Sequence, residues 1–174
     1  MITRRAYLLR LPLVLVLFAL PGLLFLHDRH AAFAAPGLVG RAAPDAAVWN
    51  SRGFAAHLSA IHGRPVWLNF FATWCPPCKE EMPRIEQRYQ RYKNSGLVVV
   101  GVDEQESRGE LASYAQSLNL TFPIVIDDGP ARAAYRVSDL ATSVFINARG
   151  IVQGIYAGEM TDEDMNNALT AIVR

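Results

Sequence analysis

Cys75 and Cys78 are the only cysteines in the chain, and they stand three apart in Trp74-Cys75-Pro76-Pro77-Cys78. Thiols at that spacing can bind a metal or exchange disulfides. A zinc site needs four ligands, and the nearby nitrogen ligands, His57 and His62, both precede the stretch that carries the pair. A purely structural bridge is a poor account as well, because closing so short a loop constrains the unfolded chain little. Thiol–disulfide exchange is the chemistry that two isolated cysteines at this spacing suit best.

That chemistry needs a strand to deliver the thiols and a helix to activate one of them. Val66–Phe71 is a nearly unbroken apolar run, as in a strand covered on both faces. Pro76 and Pro77 have the fixed φ of a first helical turn, where a missing N–H is harmless. A helix is predicted over 76–94, closed by Gly96, with Met82, Ile85, Tyr89 and Tyr92 on its buried face. Both thiols then reach its N-terminus, where unpaired N–H groups and about half a positive charge favour a thiolate. Cys75, the N-terminal and more exposed thiol, is read as the nucleophile; Cys78, one turn in, as the resolving thiol. Glu80 and Glu81 are spaced to pair with Arg84 on the helix surface. Glu81 also lies three residues after Cys78 on the same face, so a role in general acid/base work stands beside the surface pair.

Residues 65–83, and Asn69-Phe-Phe-Ala-Thr-Trp-Cys-Pro-Pro-Cys-Lys-Glu-Glu-Met-Pro83 above all, resemble the thioredoxin superfamily. Within it they look most like the membrane-tethered TlpA/ResA branch, and the resemblance extends over about residues 36–174. It implies an α/β thioredoxin-like fold, a central mixed sheet flanked by helices, with an added N-terminal hairpin. It implies disulfide reduction or exchange outside the cytoplasm, as in cytochrome c maturation. The partners would be protein thiols and disulfides, possible clients including apocytochrome c, and a membrane thiol-electron donor. The redox pair itself would serve in place of a cofactor. The branch often places a proton-relaying acid where Glu81 stands. Where thioredoxins bury an Asp, six residues before Cys75, this chain has Asn69, which cannot ionise and is read as a hydrogen-bonded structural amide. Trp74, Pro76 and the loop Leu140-Ala141-Thr142 fall where such proteins meet their substrate.

That loop departs from the family pattern, which has a cis-proline followed by Thr. Here Ala141 takes the proline position. A cis bond before a non-proline residue costs about 3–4 kcal/mol, so the Leu140–Ala141 bond is expected to be trans. Strand-like docking of a client would then weaken, and a tethered binding module with little turnover becomes the alternative to an enzyme. A peroxidase is disfavoured, because the Thr-x-x-Cys setting is missing.

The remaining sequence frames this domain. Arg4, Arg5 and Arg10 accompany the apolar run Leu11–Leu26, a basic n-region and an h-region. The 16-residue run is borderline for a span of about 20, so residues 1–35 are read as a signal or anchor segment and the start of a linker. Retention and cleavage near Ala31–Ala35 both stay open, and either exports the domain. Residues 36–174, the redoxin domain, carry 13 Lys/Arg against 15 Asp/Glu, a balance that speaks against nucleic acid. The Ala/Pro/Gly-rich stretch Ala31–Pro44 reads as linker. Asp45–Phe54 reads as extended and broken at Gly53, Phe54–Ile61 as a helical turn, and Leu97–Val102 and Thr121–Ile126 as strands. Ser107 with Glu110 forms a capping box, Ala131–Tyr135 a short helix, 142–147 and 151–156 a hairpin, and Thr161–Val173 a closing amphipathic helix. His57 and His62 read as surface or packing residues.

Overall fold

A computed structural model describes residues 37–173; the leader expectations lie outside them. The elements in order are β1 (Ala47–Asn50), β2 (Ala55–His57), a 3₁₀ turn (Leu58–Ile61), β3 (Val66–Phe71), α1 (Pro76–Tyr92), β4 (Val98–Glu104), α2 (Arg108–Ser117), β5 (Ile124–Asp127), α3 (Pro130–Tyr135), β6 (Thr142–Ile146), β7 (Val152–Ala157) and α4 (Asp162–Ile172). One seven-stranded sheet has the order β2-β1-β5-β4-β3-β6-β7. β3, β4 and β5 run parallel, while β1, β6 and β7 join antiparallel. This is the thioredoxin-like mixed sheet that the sequence predicts. Among the described residues, no helix is long and apolar enough to cross a membrane.

The alternation of β3 sorts the core into two layers. Val66, Leu68 and Phe70 pack with Tyr135 of α3 and the N-terminal hairpin. Trp67 and Phe71 point the other way, into a layer with Met82 and Ile85 of α1, Leu111 of α2, and Met165 and Leu169 of α4. Asn69 shares the parity of Trp67 and Phe71 and is fully buried, so a polar amide stands in the apolar layer under α1. Ser107 and Thr161 cap α2 and α4 through complete capping boxes, as their sequences indicate.

Two local expectations need correction. Residues 54–61 do not form one helical turn: Ala55–His57 is a strand against Ala47–Trp49, and only Leu58–Ile61 is 3₁₀. The turn at Gly53 makes this hairpin possible, with φ of 83° and its N–H bonded to Asn50 O at 2.8 Å. The second half of the Ala31–Pro44 stretch is not a free linker. Leu38 and Ala43 are buried, and the Gly40 and Ala43 N–H groups donate to Val152 O and Gly150 O at 2.8 and 2.7 Å. Satisfying these backbone donors holds the segment along β7 without any periodicity in its side chains.

Candidate active site

The end of β3 turns through Ala72–Trp74 and delivers Cys75 as the N-cap of α1, with prolines in the first turn. Cys75 and Cys78 are joined by a disulfide with S–S 2.07 Å. The Cys75 sulfur accepts the Cys78 N–H at 3.3 Å, the position in which a capping oxygen usually takes up one of the free donors of a helix start. No acidic side chain lies in that first turn to oppose a thiolate. The expected contrast in exposure is nearly absent: Cys75 keeps 3% of its surface and Cys78 1%. Both sulfurs sit in one buried apolar cluster with Ala141, against which Leu140 packs. Trp74, 70% exposed, and the exposed Pro76 stand beside this covered pair.

The loop opposite holds Leu140 half-buried, with Ala141 and Thr142 buried. The Leu140–Ala141 bond is cis, which corrects the trans expectation. The C-terminal flank of the loop is fixed by the sheet and by hydrogen bonds. Thr142 pairs with Phe70 on one side and Ala157 on the other. The Gly158 N–H donates to Ala141 O at 2.7 Å, and the Thr142 hydroxyl to Asp139 O at 2.6 Å.

Glu81 is not a surface partner of Arg84. It is 1% exposed, and Arg84 turns instead to Glu159 and, at 3.8 Å, to Asp162. The Glu81 carboxyl accepts the Met160 N–H at 3.0 Å and the Asn69 side-chain N–H at 3.4 Å. Burial pushes it up from its ordinary 4.5 to about 7, against the opposing pull of the Met160 N–H, Arg84 and Asn69. Glu81 lies one turn below Cys78 on α1, and an acid that exchanges its proton near neutrality has the affinity that general acid/base work requires.

The sequence reading missed a second carboxylate. Glu106 accepts hydrogen bonds from both the backbone N–H and the hydroxyl of Thr73, gripping the turn that precedes Cys75. Its own N–H donates to Asp103 at 2.8 Å, and Asp103, fully buried at the end of β4, has its carboxyl raised by burial and by Glu106. The loop is visibly acidic in sequence, but nothing local ties it to Thr73. Ser143 was missed too, although a hydroxyl in the apolar run Thr142–Ile146 is a signal of a buried partner. The described residues contain no group of three or more side chains that could hold a metal.

Residues 39–155 match the AhpC/TSA family model. A thiol-disulfide oxidoreductase ResA of Geobacillus kaustophilus is 38% identical over 135 residues, covering 77% of this chain and 78% of that protein. The chain belongs to this family. The ResA of Bacillus subtilis is 34% identical, over 76% of this chain and 75% of its own. A Chlorobium tepidum structure assigned as the thiol:disulfide interchange protein DsbE matches with TM-score 0.71 and 27% identity, over 78% of this chain and 98% of that one. The ResA-like chain is thus a thiol-disulfide oxidoreductase of the ResA/DsbE type, an enzyme rather than a bare binding module, and its chemistry is that of its cysteines.

Proposed function

We propose that this ResA-like enzyme reduces protein disulfides outside the cytoplasm, with Cys75 as nucleophile, Cys78 as resolving thiol and Glu81 as proton acceptor. The observation that carries the assignment of roles is the Cys75 sulfur at the N-cap of α1, taking the Cys78 N–H, with buried Glu81 one turn behind. In the reduced enzyme the Cys75 thiolate attacks a client S–S bond. A mixed disulfide forms and one client sulfur leaves as thiolate. Cys78 gives its proton to Glu81 and attacks the Cys75 sulfur. The second client sulfur leaves, takes up a proton, and the Cys75–Cys78 disulfide remains. Two electrons have passed to the client, and a membrane thiol-electron donor restores the dithiol.

Apocytochrome c, whose haem-binding thiols must be reduced, is the client class that the resemblance to the TlpA/ResA branch implies. Exposed Trp74 and Pro76, with half-buried Leu140, form the surface that meets it, and buried Ala141 and Thr142 support it from behind. The basic and apolar leader over residues 1–35 supports export and membrane attachment, with residues 36–174 as the catalytic domain. Equilibration of the full chain with glutathione buffers tests the direction. A potential near that of the glutathione pool or lower is expected; one near about −120 mV, that of a strong oxidant, refutes the reductase.

A further inference from the structure

A line of polar groups crosses the apolar layer between the sheet and α1. The Trp67 indole N–H donates to Ser143 Oγ at 2.9 Å. The Asn69 side-chain N–H donates to the same Ser143 Oγ at 3.1 Å and to Glu81 Oε2 at 3.4 Å. All four side chains are at most 1% exposed. The register explains the meeting: Asn69 stands directly opposite Ser143 across the β3–β6 pair, and Trp67 is opposite Phe145, one diagonal step away. The Trp67 and Phe145 rings pack at 4.8 Å and seal this line from below.

Buried polar groups in such a layer are costly unless bonded. Among the described residues, one atom of the line, Asn69 Oδ1, has no partner. The amide is therefore oriented only by what its N–H₂ end can reach, which is Ser143 on one side and Glu81 on the other. Ser143 is in turn fixed by Trp67. We propose that Ser143, anchored by the Trp67 indole, is a positioning residue that holds the Asn69 amide against Glu81 and so sets the pH at which Glu81 exchanges its proton. The proposal rests on Glu81 serving as the proton acceptor for Cys78 and adds what tunes it.

The sign follows from the amide's two ends. With its N–H toward Glu81, Asn69 favours the carboxylate. Released from Ser143, the amide either withdraws that donor or turns its oxygen toward Glu81, where only a protonated carboxyl can bond to it. Both outcomes make Glu81 hold its proton more tightly. The other groups that act on Glu81 stay in place: the Met160 N–H before α4 and Arg84 on α1, which favour the carboxylate, and Glu159, bonded to Arg84, whose charge opposes it; Arg84 also lies near Asp162 at the start of α4. β3 and β6 bring no charged group to it: Asn69 of β3 meets it directly, and Ser143 of β6 acts through Asn69.

The test is a carbon NMR titration of the Glu81 carboxyl in the oxidised full chain, beside the pH profile of insulin reduction. Ser143→Ala should raise the Glu81 midpoint by about half a pH unit, roughly threefold in proton affinity. Ser143→Thr, which keeps the hydroxyl, should restore the wild-type midpoint; a purely structural role predicts no such rescue of a titration. Should Ser143→Ala fail to fold, Trp67→Phe removes the indole N–H together with part of the buried ring and is expected to shift the midpoint in the same direction. An unmoved midpoint in the folded variant overturns the proposal while leaving Glu81's role intact. A kinetic pH profile unchanged in Glu81→Gln overturns the parent reading instead, and with it the catalytic meaning of this one.

Discussion

Glu81→Gln replaces a buried carboxyl by an amide of nearly the same shape. In the native fold the carboxyl holds its proton to about pH 7, against an ordinary value of 4.5, chiefly because burial penalises the charge. Between those two values the folded chain keeps a proton that the unfolded chain has released. Stability from this group is therefore complete below about pH 4.5 and declines as pH rises, until the loss is complete above about pH 7. The difference of about 2.5 units corresponds to about 3 kcal/mol at roughly 1.4 kcal/mol per unit. Asp103 is raised in the same direction, so the wild-type curve alone mixes two carboxyls; the difference between wild type and Glu81→Gln isolates one. Urea unfolding of the oxidised full chain near pH 4 and near pH 8 should show Gln gaining about 3 kcal/mol on Glu across that range. A gain below about 0.5 kcal/mol would mean that the carboxyl is solvated, and the argument for a buried proton acceptor would fail.

Three further outcomes follow from other contacts. Glu106→Ala frees the Thr73 N–H and hydroxyl; unfolding should show a loss of about 1–2 kcal/mol, and the Asp103 carboxyl, relieved of its neighbour, should release its proton at lower pH in an NMR titration. Arg88→Met removes the buried guanidinium that joins α1 to Asp162 and Asn166 at 2.9 and 3.2 Å; a loss of about 2 kcal/mol in urea is expected. Thr161→Ala breaks the capping box of α4 and should cost about 1 kcal/mol by the same assay.

What the sequence made legible was local. The cysteine pair, the prolines of the first turn, the Ser107 box and the β6–β7 hairpin each declare themselves within a few residues. What it hid was long-range. Helical spacing allows Glu81 to meet Arg84 or face inward, and the choice is made by the Met160 N–H, 79 residues on. Asn69 and Ser143 become neighbours only when β3 pairs with β6. The grip of Glu106 on Thr73 depends on β4 running beside β3, with Phe71 next to Asp103. The stretch before Pro44 lacked side-chain pattern because its attachment to β7 is made by backbone N–H groups, which every sequence has.

The division of labour between the two sulfurs is tested most directly by trapping. The reduced full chain is mixed with a disulfide-bonded client protein, and covalent complexes are resolved on a non-reducing gel. Cys78→Ser should accumulate a mixed disulfide through Cys75, and Cys75→Ser should accumulate none. Complexes formed equally well by Cys75→Ser, or by neither variant, would contradict the account.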